Sequence, residues 1–321
     1  MPFQGLLMYI GTSRLVRRLH RKMKFDCIDA HYVYPDGLAA TLLARLLKIP
    51  VVISARGTDI NLFPKFGIIR PMIRWSLKRS DGLVGVCTAL TDEMVELGAH
   101  PGKVKAIGNG VDLQRFRPVD RVEARRKLDM PEDAKIAVSV GSLIPRKGYQ
   151  YLIPALAKIS SRHPNLRLYI VGEGNFRGEL ERIVRDTGMQ DQIQIVGNRA
   201  NEELALWYAA ADVSCLVSSR EGWPNVLLES MACGTPVVAT RVWGVPEIIV
   251  SREFGIMVEQ NTEDIANGLD LALQTQWDRS VLVQHARTRT WEVVAEEVES
   301  FLAARVYERI NNAGTGQFQN R

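Results

Sequence analysis

The chain has 321 residues, of which 46% are hydrophobic and 24% are charged, a length and composition that suit two α/β domains. Its net charge of +5 is compatible with an anionic substrate or an acidic membrane surface, and no nucleic-acid-binding motif accompanies it. The four cysteines are widely spaced, which argues against a disulfide framework and a cysteine zinc site. No run of about 18 apolar residues occurs, so we predict no transmembrane helix. We therefore expect a cytoplasmic protein that can associate with the inner face of a membrane.

The first predicted element is a basic helix. Residues 14–24 contain six Lys and Arg residues and no acid, and their apolar neighbours can share one helix face. An amphipathic basic helix of this kind can bind anionic lipid. A surface helix with a solvated charged face explains the same pattern, and it is the interpretation that we favour.

Short apolar runs then alternate with helical patterns. Strands are predicted at 25–31, 50–55, 82–86 and 103–107, and helices at 37–47, 68–78 and 90–97. This alternation predicts a parallel sheet whose strands are joined by right-handed crossovers.

A turn-rich segment at 109–118 separates this half of the chain from a second one. The second half begins with a charged helix at 121–128. Its predicted strands lie at 136–140, 166–171, 193–196, 213–217 and 237–239, the spacing of a complete doubly wound domain. The chain is therefore divided into a first domain at 1–115, a second domain at 116–290, a C-terminal helix at 291–306 that packs back toward the first domain, and a disordered tail at 307–321.

The segment 219–239 predicts a strand end, a tight turn, a helix and a further strand. Glu221 then lies at the carboxyl end of a strand, where open α/β sheets bind ligands. The free N–H groups at the start of the following helix suit a phosphate, and Glu229 lies about two turns along that helix. This spacing fits a long ligand made of sugar, diphosphate and ribose. Taken alone, the two glutamates are more often a cap and a solvated side chain.

The same segment carries a resemblance to a known family. Residues 220–238 are similar, almost position for position, to the donor-site motif of family 4 of the retaining glycosyltransferases. The resemblance implies an α/β chain of the GT-B class, with two Rossmann-like doubly wound parallel-sheet domains that face a cleft. It also implies that Glu221 holds the sugar hydroxyls and Glu229 the ribose hydroxyls. The donor-binding turn between them would comprise Gly222, Trp223, Pro224, Asn225 and Val226.

A second candidate phosphate loop occupies residues 141–148, directly after a predicted strand. Gly141 permits a turn there, and Arg146 and Lys147 supply positive charge. A surface loop with two solvated cations is an equally good interpretation of these residues alone. The loop resembles the family's second donor motif, in which a lysine at the Lys147 position contacts the diphosphate. Ser142 stands where the family commonly has an arginine.

Two further strand exits are expected to border the nucleotide. Gly172 and Gly174 form a glycine turn, for which a purely structural role is the default interpretation. In the family this turn lies at the nucleotide cleft, and the counterparts of Asn198 and Arg199 contact the base. No Asp-x-Asp pair ends a strand, so we predict no metal and no cofactor. The implied substrate is a nucleotide-sugar such as a UDP- or GDP-sugar.

The acceptor side of the cleft is expected in the first domain. Residues 54–61 match a family segment that usually reads His-Gly-Ser-Asp, but here Arg56 replaces the histidine and could contact phosphate or an acidic acceptor. Asp59 either orients its loop, contacts substrate or caps a turn. His31 and Gly37 lie at the preceding strand exit, where a lone histidine is more often structural.

The resemblance begins partway through the first domain, so that domain is expected to be incomplete. The implied activity is retaining transfer of a sugar to a glycan or lipid-linked acceptor, in surface polysaccharide or glycolipid biosynthesis. Two alternatives remain: a nucleotide-sugar-binding or partner-binding fragment without an acceptor site, and a nucleotide-sugar epimerase.

Overall fold

The computed structural model describes residues 3–315, and these residues form two compact units. Unit 1 contains the residues up to Gly108 together with those from Val294 onward, and unit 2 is Asn109–Val293. The first boundary therefore lies earlier than the predicted division after residue 115. The Val111 N–H donates to the Arg289 carbonyl at 3.0 Å, which places the segment after Gly108 in unit 2.

Unit 1 contains a parallel sheet in which the strands follow the chain order β1-β2-β3-β4. The strands are β1 (Ile28–His31), β2 (Val51–Ala55), β3 (Gly82–Gly85) and β4 (Val104–Ala106). The helices in this part of the chain are α1 (Gln4–Met23), α2 (Leu38–Leu47), α3 (Thr58–Asn61), α4 (Ile69–Arg79) and α5 (Thr88–Glu96). All five residues of β2 are buried, as expected for an inner strand of a parallel sheet that is covered on both faces.

Unit 2 contains a six-stranded parallel sheet with the order β10-β9-β8-β5-β6-β7. The strands are β5 (Lys135–Val140), β6 (Leu166–Val171), β7 (Ile193–Gly197), β8 (Val213–Leu216), β9 (Val237–Thr240) and β10 (Gly255–Val258). The chain runs outward from β5 through β7, then returns to the other side of β5 with β8. The adjacent strands β5 and β8 therefore form a topological switch point.

Helices cover the sheet of unit 2. They are α6 (Arg121–Lys127), α7 (Tyr149–Ile159), α8 (Arg177–Asp186), α9 (Asn201–Ala210), α10 (Asn225–Ala232), α11 (Val245–Ile248), α12 (Thr262–Gln274) and α13 (Arg279–Arg287). Ile136 and Val138 of β5 belong to one hydrophobic cluster, whereas the intervening Ala137 packs in a second cluster with Leu152 and Leu156 of α7. Both faces of the sheet are therefore buried, which is the arrangement of a doubly wound domain.

The edge strand β10 is not predicted from the sequence. It has four residues, and its two central residues are only half-buried. A run this short gives little hydrophobic signal for a strand, because half-buried positions tolerate many residue types.

The last helix, α14 (Trp291–Thr315), belongs to unit 1 from Val294 onward. Val294 and Phe301 pack in a hydrophobic cluster with Val52 of β2 and Val84 of β3. The helix therefore covers part of the first sheet.

Helix α14 is longer than predicted, because it ends at Thr315 and not at residue 306. An ion pair between Arg309 and Asp81, at 3.2 Å, joins this extension to unit 1. The predicted disordered tail is thus helical over 307–315, and residues 316–321 lie outside the described residues. Across residues 3–315, no helix is both long and apolar enough to cross a bilayer.

Candidate functional site

The carboxyl ends of β5 and β8 lie next to each other in unit 2, and side chains from both exit loops meet there. Lys147, from the loop after β5, places its Nζ 2.6 Å from Oε1 of Glu221, from the loop after β8. The Ser218 hydroxyl donates to the same oxygen at 2.6 Å. The Lys147 and Glu221 side chains are 14% and 11% exposed, so the pair is largely shielded from solvent. This position is where open α/β sheets bind their ligands.

The two carboxylate oxygens of Glu221 differ in their hydrogen-bond partners. Among the described residues, no hydrogen bond reaches Oε2 of Glu221, whereas Oε1 receives both Lys147 and Ser218. Arg146 is also directed at Oε1, with its Nη1 3.6 Å away. One oxygen of Glu221 is thus held in place by protein donors while the other is available to accept a hydrogen bond.

Backbone contacts join the two exit loops. The Ser219 N–H donates to the Arg146 carbonyl at 2.9 Å, and the Arg146 guanidinium donates to the Arg220 carbonyl. Gly148 has φ = +76°, and a Cβ added there would lie 2.0 Å from the Val217 carbonyl oxygen. Glycine is therefore required at this position, because any side chain would push apart the loops that bring Lys147 to Glu221.

The exits of β5, β6 and β7 form a second close-packed arrangement. The Leu143 N–H donates to the carbonyl of Glu173, which stands between the two glycines of the β6 exit, at 2.9 Å. A Cβ on Gly172 would lie 2.0 Å from the Gly141 carbonyl oxygen, and one on Gly174 would lie 2.2 Å from that of Leu143. The glycine turn thus has the structural role considered above, and it also keeps backbone groups at this edge of the sheet.

Ser142, Asn198 and Arg199 are exposed beside these turns. The Arg199 guanidinium carbon lies 5.9 Å from the centre of the Trp207 ring, a cation–π contact. Its Nη1 donates to the Asn198 carbonyl at 3.0 Å. The Arg199 side chain is therefore folded onto its own unit at the exit of β7.

Helix α10 begins after Pro224, whose side chain offers no acceptor to the helix N–H groups. The Asn225 Oδ1 accepts a hydrogen bond from Asn109 Nδ2 at 3.1 Å. The first-turn N–H groups of α10 are therefore not capped by a side chain and suit an anion.

The residues around this helix start are partly covered. Gly222, Trp223 and Val226 are half-buried, and the Arg289 guanidinium carbon lies 5.8 Å from the Trp223 ring centre. Among the described residues, the buried Nε1 of Trp223 has no hydrogen-bond partner. The turn before α10 is thus a packed element of unit 2.

Glu229 is half-buried on α10. Burial raises the pKa of its carboxyl to about 7, although the hydrogen bond from Tyr208 and the charge of Arg115 lower it in part. The Tyr208 hydroxyl donates to Oε2 of Glu229 at 3.1 Å. Around neutral pH this carboxyl therefore exists in both protonation states.

Of the roles considered for Asp59, the structure agrees with orientation of its loop. Asp59 of unit 1 is fully buried. Its Oδ2 accepts from the Val33 N–H at 2.8 Å, and its Oδ1 accepts from the N–H groups of Arg56 and Gly57 at 3.0 and 2.9 Å. Burial raises the pKa of this carboxyl, while these amides and the N–H of Asp59 itself lower it. Asp59 therefore fixes the loops that follow β1 and β2, and it offers no exposed surface to a substrate.

Arg56 and His31 are exposed at the same strand exits. The Arg56 Nη2 lies 2.6 Å from His31 Nδ1, and the His31 Nε2 lies 3.4 Å from Asp29. Since a guanidinium only donates, His31 Nδ1 accepts, which assigns the ring proton to Nε2. Gly37, in contrast, is buried. A Cβ added there would lie 3.0 Å from the Ile53 side chain, so this residue has a packing role.

Sequence reasoning missed Ser218 and Tyr208. Ser218 directly follows the predicted strand at 213–217, so its place at a strand exit is a usable signal. Tyr208 lies within an apolar stretch of α9 and has the pattern of an ordinary core residue, so no sequence signal connected it with Glu229. No group of three or more side chains suited to a metal ion occurs among the described residues.

Family models match both units of the chain. The model described as "Glycosyl transferases group 1" matches residues 120–289, and the model described as "Glycosyltransferase Family 4" matches residues 1–115. The chain belongs to the family 4, group 1 glycosyltransferases. The predicted family is therefore confirmed.

Individual relatives of this glycosyltransferase agree with that assignment. D-inositol 3-phosphate glycosyltransferase from Actinosynnema mirum is 35% identical over 95% of this chain and 77% of the relative. N-acetyl-alpha-D-glucosaminyl L-malate synthase from Bacillus anthracis is 27% identical over 94% of this chain and 78% of the relative. The structure of Anabaena HepE in complex with UDP matches with a TM-score of 0.81 and 20% identity, over 91% of this chain and 82% of HepE. The HepE match confirms the predicted GT-B fold class.

Proposed function

We propose that this glycosyltransferase transfers a sugar from a UDP- or GDP-sugar to an acceptor hydroxyl, with retention of the anomeric configuration. The observation that carries the proposal is the state of Glu221, whose Oε1 is held by Lys147 and Ser218 while Oε2 is available. Oε2 would accept hydrogen bonds from the sugar hydroxyls. Lys147 lies one hydrogen bond away, where it would meet the diphosphate that leaves.

The charges of the site fit the charges of this reaction. Breaking the glycosidic bond puts positive charge on the sugar and negative charge on the leaving diphosphate. Lys147, Arg146 and the first N–H groups of α10 would stabilise that diphosphate without a metal ion. An oxygen of the leaving group would take the acceptor proton, so no protein base is needed. The diphosphate would compete with Glu221 for Lys147, because one ammonium group serves both.

The remaining residues of unit 2 would hold the nucleoside. Glu229 would accept hydrogen bonds from the ribose hydroxyls. The base would lie beside the glycine turn at Gly172 and Gly174 and the exposed pair Asn198 and Arg199. HepE, which has the same fold, has been solved with UDP, and this favours uridine as the first nucleoside to test.

The acceptor would be a surface glycan or a lipid-linked molecule that carries an anionic group. Arg56 supports this because it presents a guanidinium at the exit of β2, in place of the histidine that is usual in the family. The names of two relatives include L-malate and D-inositol 3-phosphate, both of which are anionic. Arg56, oriented by His31, would contact such a group.

Binding and turnover test this proposal on the full chain. Calorimetry with UDP, GDP and ADP identifies the base, and NMR of the product reports its anomeric configuration. We expect UDP or GDP to bind and the product to keep the donor configuration. If no nucleotide binds, both the transferase and the nucleotide-sugar-binding alternative fail. Binding without turnover in acceptor extracts would favour the binding alternative, and conversion of the donor to its epimer would favour the epimerase.

Two lysines of unit 2 provide a matched pair of variants. Lys147 and Lys158 each place Nζ 2.6 Å from a glutamate oxygen, but the Lys158 side chain is 53% exposed, far more than that of Lys147. We expect K147Q to lower turnover on the order of 100-fold, because a donor to the leaving group is lost. K158Q should leave turnover unchanged. Equal turnover in the two variants would contradict the role of Lys147.

A further inference from the structure

Positive charge is concentrated in the first part of the chain. Residues 1–108 contain 16 Lys and Arg residues against 8 Asp and Glu residues, whereas the whole chain has 41 and 36. Helices α1, α2 and α4 contain no acidic residue, and α2 packs beside both α1 and α4. The exposed charges of these three packed helices are therefore all positive.

Of these helices, α4 presents a regular stripe of cations. Arg70, Arg74 and Lys78 are exposed at intervals of one helical turn, and they line a groove of about 540 Å³ together with Trp75. Among the described residues, no carboxylate forms an ion pair with any of the three side chains. Like charges one turn apart destabilise a helix, so the stripe is unfavourable for folding in the absence of an anionic partner.

Apolar surface lies directly beside the stripe. Phe66 and Ile68 are 53% and 61% exposed, and they border a hollow of about 510 Å³ that shares Gly67 with the cationic groove. On the other side, Trp75 and Met72 line a smaller hollow of about 300 Å³. Trp75 thus lies between cationic and apolar surface, as tryptophan does at membrane interfaces.

We propose that this face of unit 1, defined as Phe66, Ile68, Arg70, Arg74, Trp75 and Lys78, docks on an anionic phospholipid bilayer. The three cations would contact lipid phosphates, while Phe66 and Ile68 enter the boundary with the acyl chains. The combination selects a bilayer over an acidic protein, because bulky apolar side chains adjoin the cations and remain exposed. This surface goes beyond the proposed function and differs from the membrane contact predicted at residues 14–24.

Vesicle binding by the full chain tests the proposal with a charge-matched control. Cosedimentation compares phosphatidylcholine vesicles with vesicles that also contain about 30% phosphatidylglycerol. The test variant is R70Q/R74Q/K78Q, and the control variant K135Q/R185Q/R252Q removes three exposed cations of unit 2. We expect binding of the wild type only to the anionic vesicles, with a strong dependence on salt. The test variant should bind them on the order of 100-fold more weakly, and the control should bind like the wild type.

A second variant and a competitor keep the outcome decisive. F66S/I68S changes no charge, and a marked loss of vesicle binding by this variant supports insertion of the apolar side chains. Thermal melting checks that each variant remains folded. If R70Q/R74Q/K78Q is unfolded, vesicle binding by F66S/I68S tests the proposal instead. The proposal is overturned if the wild type ignores phosphatidylglycerol or if both triple variants lose binding equally. It is also overturned if millimolar glycerol phosphate abolishes binding, since that would indicate a site for free phosphate.

Discussion

The two units hold a carboxylate at a strand exit in different ways. In unit 2, the strand order reverses between β5 and β8, and Glu221 is held there by the side chains of Lys147 and Ser218. In unit 1, the described strands follow chain order, and both oxygens of Asp59 accept from backbone N–H groups. Side-chain partners can turn toward a ligand, whereas backbone amides cannot leave without unfolding a loop. The comparison therefore separates Glu221, which we propose binds the sugar, from Asp59, which holds two loops of the fold.

The largest effect should come from E221Q. Glutamine keeps the size of the side chain but removes the charge that pairs with Lys147 and that, in the proposed reaction, accepts from the sugar. We expect turnover to fall on the order of 1000-fold, with little change in melting temperature. The matched control is E263Q, because Glu263 also pairs with a lysine at 2.6 Å but is 64% exposed. Transfer that survives in E221Q would remove Glu221 from the reaction and erase the contrast with Asp59.

Replacement of Asp59 should act on stability. D59A leaves the N–H groups of Val33, Arg56 and Gly57 buried without an acceptor, and we expect a loss of about 4 kcal/mol in the free energy of unfolding. D59N should lose less, because its amide oxygen still accepts. The exposed Asp92 provides the control, and D92A should stay within about 0.5 kcal/mol of the wild type in urea denaturation. A D59A protein as stable as D92A would show that Asp59 is not the anchor of these loops.

The comparison also explains what the sequence could and could not predict. Strong apolar runs predict the positions of the strands, and the strand predicted at Leu166–Val171 has the same two ends in the structure. The pairing of Lys147 with Glu221 spans 74 residues of chain and depends on β8 lying next to β5. Apolar periodicity identifies strands but not their order, so it does not by itself bring the two loops together, and only the family resemblance assigns both to one donor site. The role of Asp59 depends in the same way on Val33, which lies on another loop and is not placed beside it by any sequence pattern.

The pH dependence of stability should reveal Glu229. Because burial raises its pKa to about 7, the native state holds a proton that the unfolded state loses near the ordinary value of 4.5. The stabilisation is complete below the unfolded value and is lost as pH rises through 7, a change of up to about 3 kcal/mol. E229Q cannot titrate, so its stability should fall less across this range. Urea denaturation at several pH values measures the difference, and parallel curves for the two proteins would contradict a buried, titrating Glu229.

The smallest effect should come from R199A, which tests how the proposed base site contacts the base. Arg199 packs on Trp207 and donates to a neighbouring carbonyl, so its polar atoms are engaged within unit 2. If backbone groups at the exits of β6 and β7 contact the base, R199A should weaken UDP binding by about threefold or less, the scale of an exposed cation–π contact. Calorimetry measures this change. A loss of tenfold or more would mean that the guanidinium leaves Trp207 to contact the base. This strand exit would then exchange a protein partner for a ligand, as we propose for the exit that carries Glu221.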